Sequence, residues 1–127
     1  DYWGYFDGNI LHKVLVKVRD LALKNFPNEK PEVAYDFLKY SYPYSKRAVF
    51  DNVLVADKEG AIGLYFPRLD ICEFLTFLSC HGYRDDFFIF MNENKKKFSH
   101  LLFDVGIDFY VYSGNLHIKK TAFWGSL

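Results

Sequence analysis

Over residues 10–26 apolar side chains recur at Leu11, Val14, Leu15, Val18, Leu21, Ala22 and Phe26, while His12, Lys13, Lys17, Arg19, Asp20 and Lys24 fall on other faces. That spacing of three and four predicts an amphipathic helix, with Asn9 as its N-cap and Pro27 as its stop. A second, shorter helix is expected to carry Pro31 in its first turn and to bury Val33, Ala34, Phe37 and Leu38. It should end near Ser41, because Pro43 disfavours helical geometry at Tyr42. Residues 49–56 and 61–66 then flank a polar four-residue turn, Asp57-Lys58-Glu59-Gly60, and read as a hairpin. Residues 69–80 are apolar around nearly the whole helical circumference, which predicts a helix buried on most sides and terminated by Gly82. The continuous apolar run at residues 87–91 reads as an interior strand, and residues 93–105 read as a helix with Gly106 as its C′ residue. A last hairpin follows, in which Ile107, Phe109 and Val111, then Leu116, Ile118 and Lys120, alternate with more polar positions on either side of Ser113-Gly114-Asn115. The order α-α-β-β-α-β-α-β-β mixes hairpins with helices and predicts a single α+β domain over residues 1–127, with a mostly antiparallel sheet.

Strand alternation places Asp108, Tyr110, Tyr112, His117, Lys119 and Thr121 on the outer face of the final hairpin, whichever two-residue turn joins its strands. One register sets Tyr110 opposite His117 and the other sets it opposite Lys119. As chemistry, His117 would act as general acid and base, Lys119 would stabilise an oxyanion or phosphate, and Tyr110 would orient the substrate of a small hydrolase or ribonuclease. The plainer reading, a solvated sheet surface, carries more weight, since Tyr, Thr and paired charges are ordinary strand residues. A second grouping, Tyr40, Tyr42 and Tyr44 beside Lys46 and Arg47, suits a tyrosine-anchored protein interface better than base stacking, and a plain loop whose tyrosines fold back onto the core carries as much weight as both together.

Composition bears on that choice. Sixteen basic and sixteen acidic residues cancel, so the chain lacks the basic footprint of a dedicated nucleic-acid binder, and nucleic acid is an unfavoured partner. Aromatic residues make up 20% of the chain and exclude intrinsic disorder. Cys72 and Cys80 lie about 12 Å apart along the expected helix, too far to pair, so both should be free thiols in a reducing, cytoplasmic compartment. No apolar run reaches the roughly 20 residues of a membrane span. His12, His81, His100 and His117 show no metal-ligand spacing, Asp85-Asp86 would point to opposite faces of a strand, and Lys95-Lys96-Lys97 is too short to mark a nucleic-acid patch. Glycine-rich phosphate loops and nucleophile elbows are absent as motifs, so neither metal nor cofactor is expected.

The balance favours a non-enzymatic protein-binding domain. Its expected interface draws on Tyr40, Tyr42, Tyr44, Tyr110, Tyr112 and Trp124, with Asp85 and Asp86 at a charged rim. In size and composition the chain resembles bacterial immunity proteins, small cytosolic inhibitors of toxins. The resemblance implies a toxin domain as partner and assigns no residue a role.

Overall fold

The computed structural model of the chain describes residues 8–41, 53–83 and 85–126. They form four helices and one four-stranded antiparallel sheet, an α+β fold. Helices α1 (Gly8–Asn25) and α2 (Glu32–Ser41) precede strands β1 (Leu54–Lys58) and β2 (Ala61–Leu69). Helices α3 (Ile71–Cys80) and α4 (Asp86–Glu93) lead into the long hairpin of β3 (Leu102–Tyr112) and β4 (Asn115–Ser126). Spatial order in the sheet follows chain order, β1-β2-β3-β4, so every neighbouring pair is antiparallel.

The helical period in α1 puts Val14, Val18, Ala22 and Phe26 on one stripe, and all four are buried. They meet the inward residues of the sheet, including Val55, Ile62, Leu64 and Phe66. Phe37 of α2 lies against Phe109, ring centroids 5.1 Å apart. From α3, Phe74 stacks flat on Phe103 at 4.0 Å and meets Phe123 edge-on at 5.2 Å. Asp70 starts α3 with a capping box: its carboxylate accepts from the Glu73 backbone N–H, and the Glu73 side chain accepts from the Asp70 N–H. Between α1 and β1, the Lys24 ammonium and the Asn25 amide both reach the Asp57 carboxylate. Each of these contacts lies on the same side of the sheet.

Two expectations for the middle of the chain are overturned. Residues 87–91 are helix, not interior strand, because Asp85 takes the N-cap of α4 and accepts from the Phe88 backbone N–H at 3.3 Å. That cap fixes the helical start, and α4 lies at the surface with Phe87, Ile89 and Phe90 exposed and Met91 buried. Residues 93–105 do not continue as a helix: turns occupy 94–100 and β3 begins at Leu102. Phe103, Val105, Ile107, Phe109 and Val111 alternate inward along one strand, and an eleven-residue strand buries all five against the helices.

The hairpins also differ in detail from expectation. Asp57 and Lys58 belong to β1, leaving Glu59-Gly60 as the turn, with Gly60 at φ +74°. The last hairpin turns at Ser113-Gly114, with φ values of +53° and +77° as a type I′ turn requires. Among the described residues no helix is long and apolar enough to cross a membrane.

Candidate functional site

All four helices cover one side of the sheet, so the side chains that alternate outward gather on the other. Register places them in rows: Leu54, Tyr65, Gly106 and Ala122; then Ala56, Gly63, Asp108 and Lys120; then the separate pairs Lys58 with Ala61 and Tyr110 with His117. Small residues at Ala56, Gly63, Gly106 and Ala122 sink the middle of this face. The Tyr65 ring lies in that depression, so close above its cross-strand neighbour that a Cβ on Gly106 would sit 2.7 Å from two ring carbons. Above Gly63 lie the Asp108 carboxylate and the Lys58 side chain, 2.9 and 3.1 Å from where a Cβ would stand.

The Asp108 side chain is only 8% exposed although it points away from the helices. Lys120 Nζ stands 3.8 Å from its Oδ2, near enough to balance charge and too far for a hydrogen bond. On the opposite flank Lys58 Nζ lies 5.5 Å from the centre of the Tyr65 ring. A hydrogen bond with the Tyr65 side chain, and then the charge of Asp108, hold the Lys58 ammonium above its ordinary pKa.

Tyr65 and Trp124 wall two adjoining clefts. The smaller, about 140 Å³, is completed by Gly106, Asp108, Lys120 and Ala122. The larger, about 260 Å³, is lined by Leu54, Phe66, Pro67 and Val105, with Asp104 as its acidic member. Beside it β2 slips register between Phe66 and Leu69, and Arg68 there adopts a left-handed φ of +63°. The Arg68 backbone N–H donates to Asp104 Oδ1 at 2.9 Å, which fixes both the irregularity and the carboxylate.

The structure gathers part of the expected interface. Tyr110, Tyr112 and Trp124 share the outward face, Tyr112 and Trp124 being 67% and 54% exposed. Asp85 and Asp86 stand at the start of α4, on the helical side, and Asp85 is occupied as a cap. Tyr42 and Tyr44 lie outside the described residues, and Tyr40 is placed only as backbone within α2.

For the catalytic alternative, Tyr110 and His117 are direct cross-strand partners with rings stacked at 5.0 Å. The expected alternation fails beyond them. Asp108 pairs with Lys120 and Phe109 with Ile118, so Lys119 is an extra residue, a β-bulge. Everything after it changes face: Lys120, Ala122 and Trp124 look outward, while Thr121 turns inward and shares a hydrogen bond with the Tyr83 hydroxyl. Lys120, rather than Thr121, therefore joins the outer surface. Sequence reasoning placed Asp108 outward but missed Tyr65, Lys58 and Lys120, although the spacing of Gly63 and Tyr65 marks them as sharing a face. Among the described residues no three His, Cys, Asp or Glu side chains gather as a metal site. Compared with family models, curated proteins and solved structures, the chain matches none.

Proposed function

We propose that the chain is a non-enzymatic protein-binding domain that docks a partner on the open side of its sheet. The carrying observation is that Leu54 and Trp124, 66% and 54% exposed, border one cleft that no residue of the described helices lines. A rigid sheet presenting an aromatic and an aliphatic anchor beside charged groups has the makings of an interface centre with a polar rim. Lys58, Lys120, Asp104 and Asp108 supply both signs of charge around it. Within that reading, the partner is a toxin domain and the chain an immunity-type cytoplasmic inhibitor, acting by covering the surface the toxin needs. Support for this finer step is the chain's size and aromatic-rich composition.

The test is affinity capture with the full chain, repeated with Leu54→Asp and Trp124→Ala. Both residues are exposed, so the melting temperature should stay nearly unchanged while affinity for a stoichiometric protein partner falls by about thirtyfold or more, as loss of an interface hot spot does. A partner held equally by wild type and both variants would refute the docking face. For the inhibitor step, the captured partner must lose a toxic activity when bound; a partner fully active in the complex excludes it.

A further inference from the structure

The two clefts differ in chemistry in a way that specifies what a partner inserts. The larger is apolar apart from Asp104, and its 260 Å³ exceeds the roughly 150 Å³ cavity known to take a benzene ring. The smaller is lined by Asp108, a carboxylate more than nine-tenths buried whose nearest cation among the described residues stands 3.8 Å away. An ionised carboxylate accepts up to about four hydrogen bonds. Lys120 balances the charge of Asp108 from one side without donating, and no donor to this carboxylate is found among the described residues, so that capacity is open to the cleft it lines. Lys58, on the other side, adds a second positive charge.

Charge decides among possible occupants. A cationic group approaching Asp108 meets Lys120 and Lys58, and an anionic group meets Asp108 with Asp104 beyond it. Neither sign is favoured, so the complement is a neutral donor. Tyr65 and Trp124, standing on either side, favour a flat ring. We infer that this paired cleft receives a neutral aromatic side chain bearing one O–H or N–H donor, a tyrosine or tryptophan of the partner protein, with the donor on Asp108 and the ring between Tyr65 and Trp124. This rests on the protein-binding reading and goes beyond it by naming the anchor.

The test uses the full chain alone, titrated with phenol and indole and, in parallel, with anisole and 1-methylindole. The methylated pair keeps the ring and removes the donor. Backbone amide signals of Gly106 and Ala122 and the indole signal of Trp124 are followed by NMR. Phenol and indole should move these signals saturably at about millimolar concentration, as expected for fragments of their size. The methylated pair should bind at least about tenfold more weakly, the consequence of losing one hydrogen bond to a charged acceptor. Benzamidine, a cation of similar shape, should bind no more tightly than indole. Equal binding with and without the donor, tighter binding of benzamidine, or shifts away from this face would each overturn the anchor. In the partner complex Asp108→Asn, its fold checked from the same spectrum, should weaken capture. Capture lost with Trp124→Ala yet unchanged with Asp108→Asn would overturn the anchor and leave the docking face standing, whereas capture indifferent to both would remove the docking face itself.

Discussion

Replacing Gly106 with alanine tests the central depression of the open face. The Gly106 backbone is one alanine can adopt, so the conflict is steric: the new Cβ falls 2.7 Å from Cδ1 and Cε1 of Tyr65, where carbon atoms ordinarily rest about 3.5–4.0 Å apart. The ring has to retreat by about 1 Å, and such overpacking costs about 1–3 kcal/mol. Against this, alanine loses less conformational freedom than glycine on folding, a gain of about 0.5–1 kcal/mol. The net expectation is a loss of about 1–2 kcal/mol, or a melting temperature lower by about 3–8 °C for a domain of this size. Urea titration should show the midpoint falling with an unchanged slope. In a Tyr65→Ala background the conflict disappears, because the next nearest atom, Leu64 O, is at an ordinary 3.8 Å. There Gly106→Ala should become neutral or stabilising, giving a coupling of about 1–3 kcal/mol in the double-mutant cycle. Equal costs of Gly106→Ala in the two backgrounds would show that Tyr65 does not occupy the space above this glycine.

Two further predictions concern the helical side. Phe74 is fully buried and stacked on Phe103, so Phe74→Ala should cost about 3–5 kcal/mol, a large share of a typical domain's stability, read from the denaturant midpoint; a cost below about 1 kcal/mol would contradict this packing. At the end of α3, burial pushes the pKa of His81 below its ordinary 6.5. The folded protein therefore binds fewer protons at this site than the unfolded chain, and stability falls as pH drops through 6.5, the loss levelling off below the lowered folded value. His81→Asn should flatten that part of the pH profile, and parallel profiles for wild type and variant would exclude the burial argument.

Where local pattern and tertiary environment agree, the sequence is a good guide. Helix α1 needs only its stripe of Val14, Val18, Ala22 and Phe26, and α3 has both its apolar surface and the Asp70 cap. The final hairpin carries its alternation and its turn. The run at residues 87–91 failed because five consecutive apolar residues have no period to read, so its ends had to decide. Asp85, dismissed as half of an unproductive acid pair, is the cap that makes it helical. In β3 the alternation of Phe103 and Val105 extends the pattern seen from Ile107 onward, but Gly106 drew attention as a helix terminator. Its actual role, room for the Tyr65 ring, depends on a strand some forty residues earlier and leaves no local trace. The candidate site was legible in Tyr110, Tyr112, Trp124, His117 and Asp108. Its centre, where Tyr65 and Lys120 join Trp124, depends on cross-strand pairing and on one extra residue that alternation alone does not reveal.

That extra residue, Lys119, decides which face the end of the last strand presents. A residue added or removed at the Ser113-Gly114 tip can be absorbed by remaking the turn. Deleting Lys119 while the turn stays fixed leaves Ile118 opposite Phe109 and Lys120 opposite Asp108, so the bulge disappears while Lys120 and Trp124 stay on the open face and Phe123 stays inside. Two fates of one residue thus have opposite meanings: losing Lys119 merely smooths the strand, while keeping it and drawing it into the ladder opposite Asp108 exchanges the protein's inside for its outside along the second half of that strand.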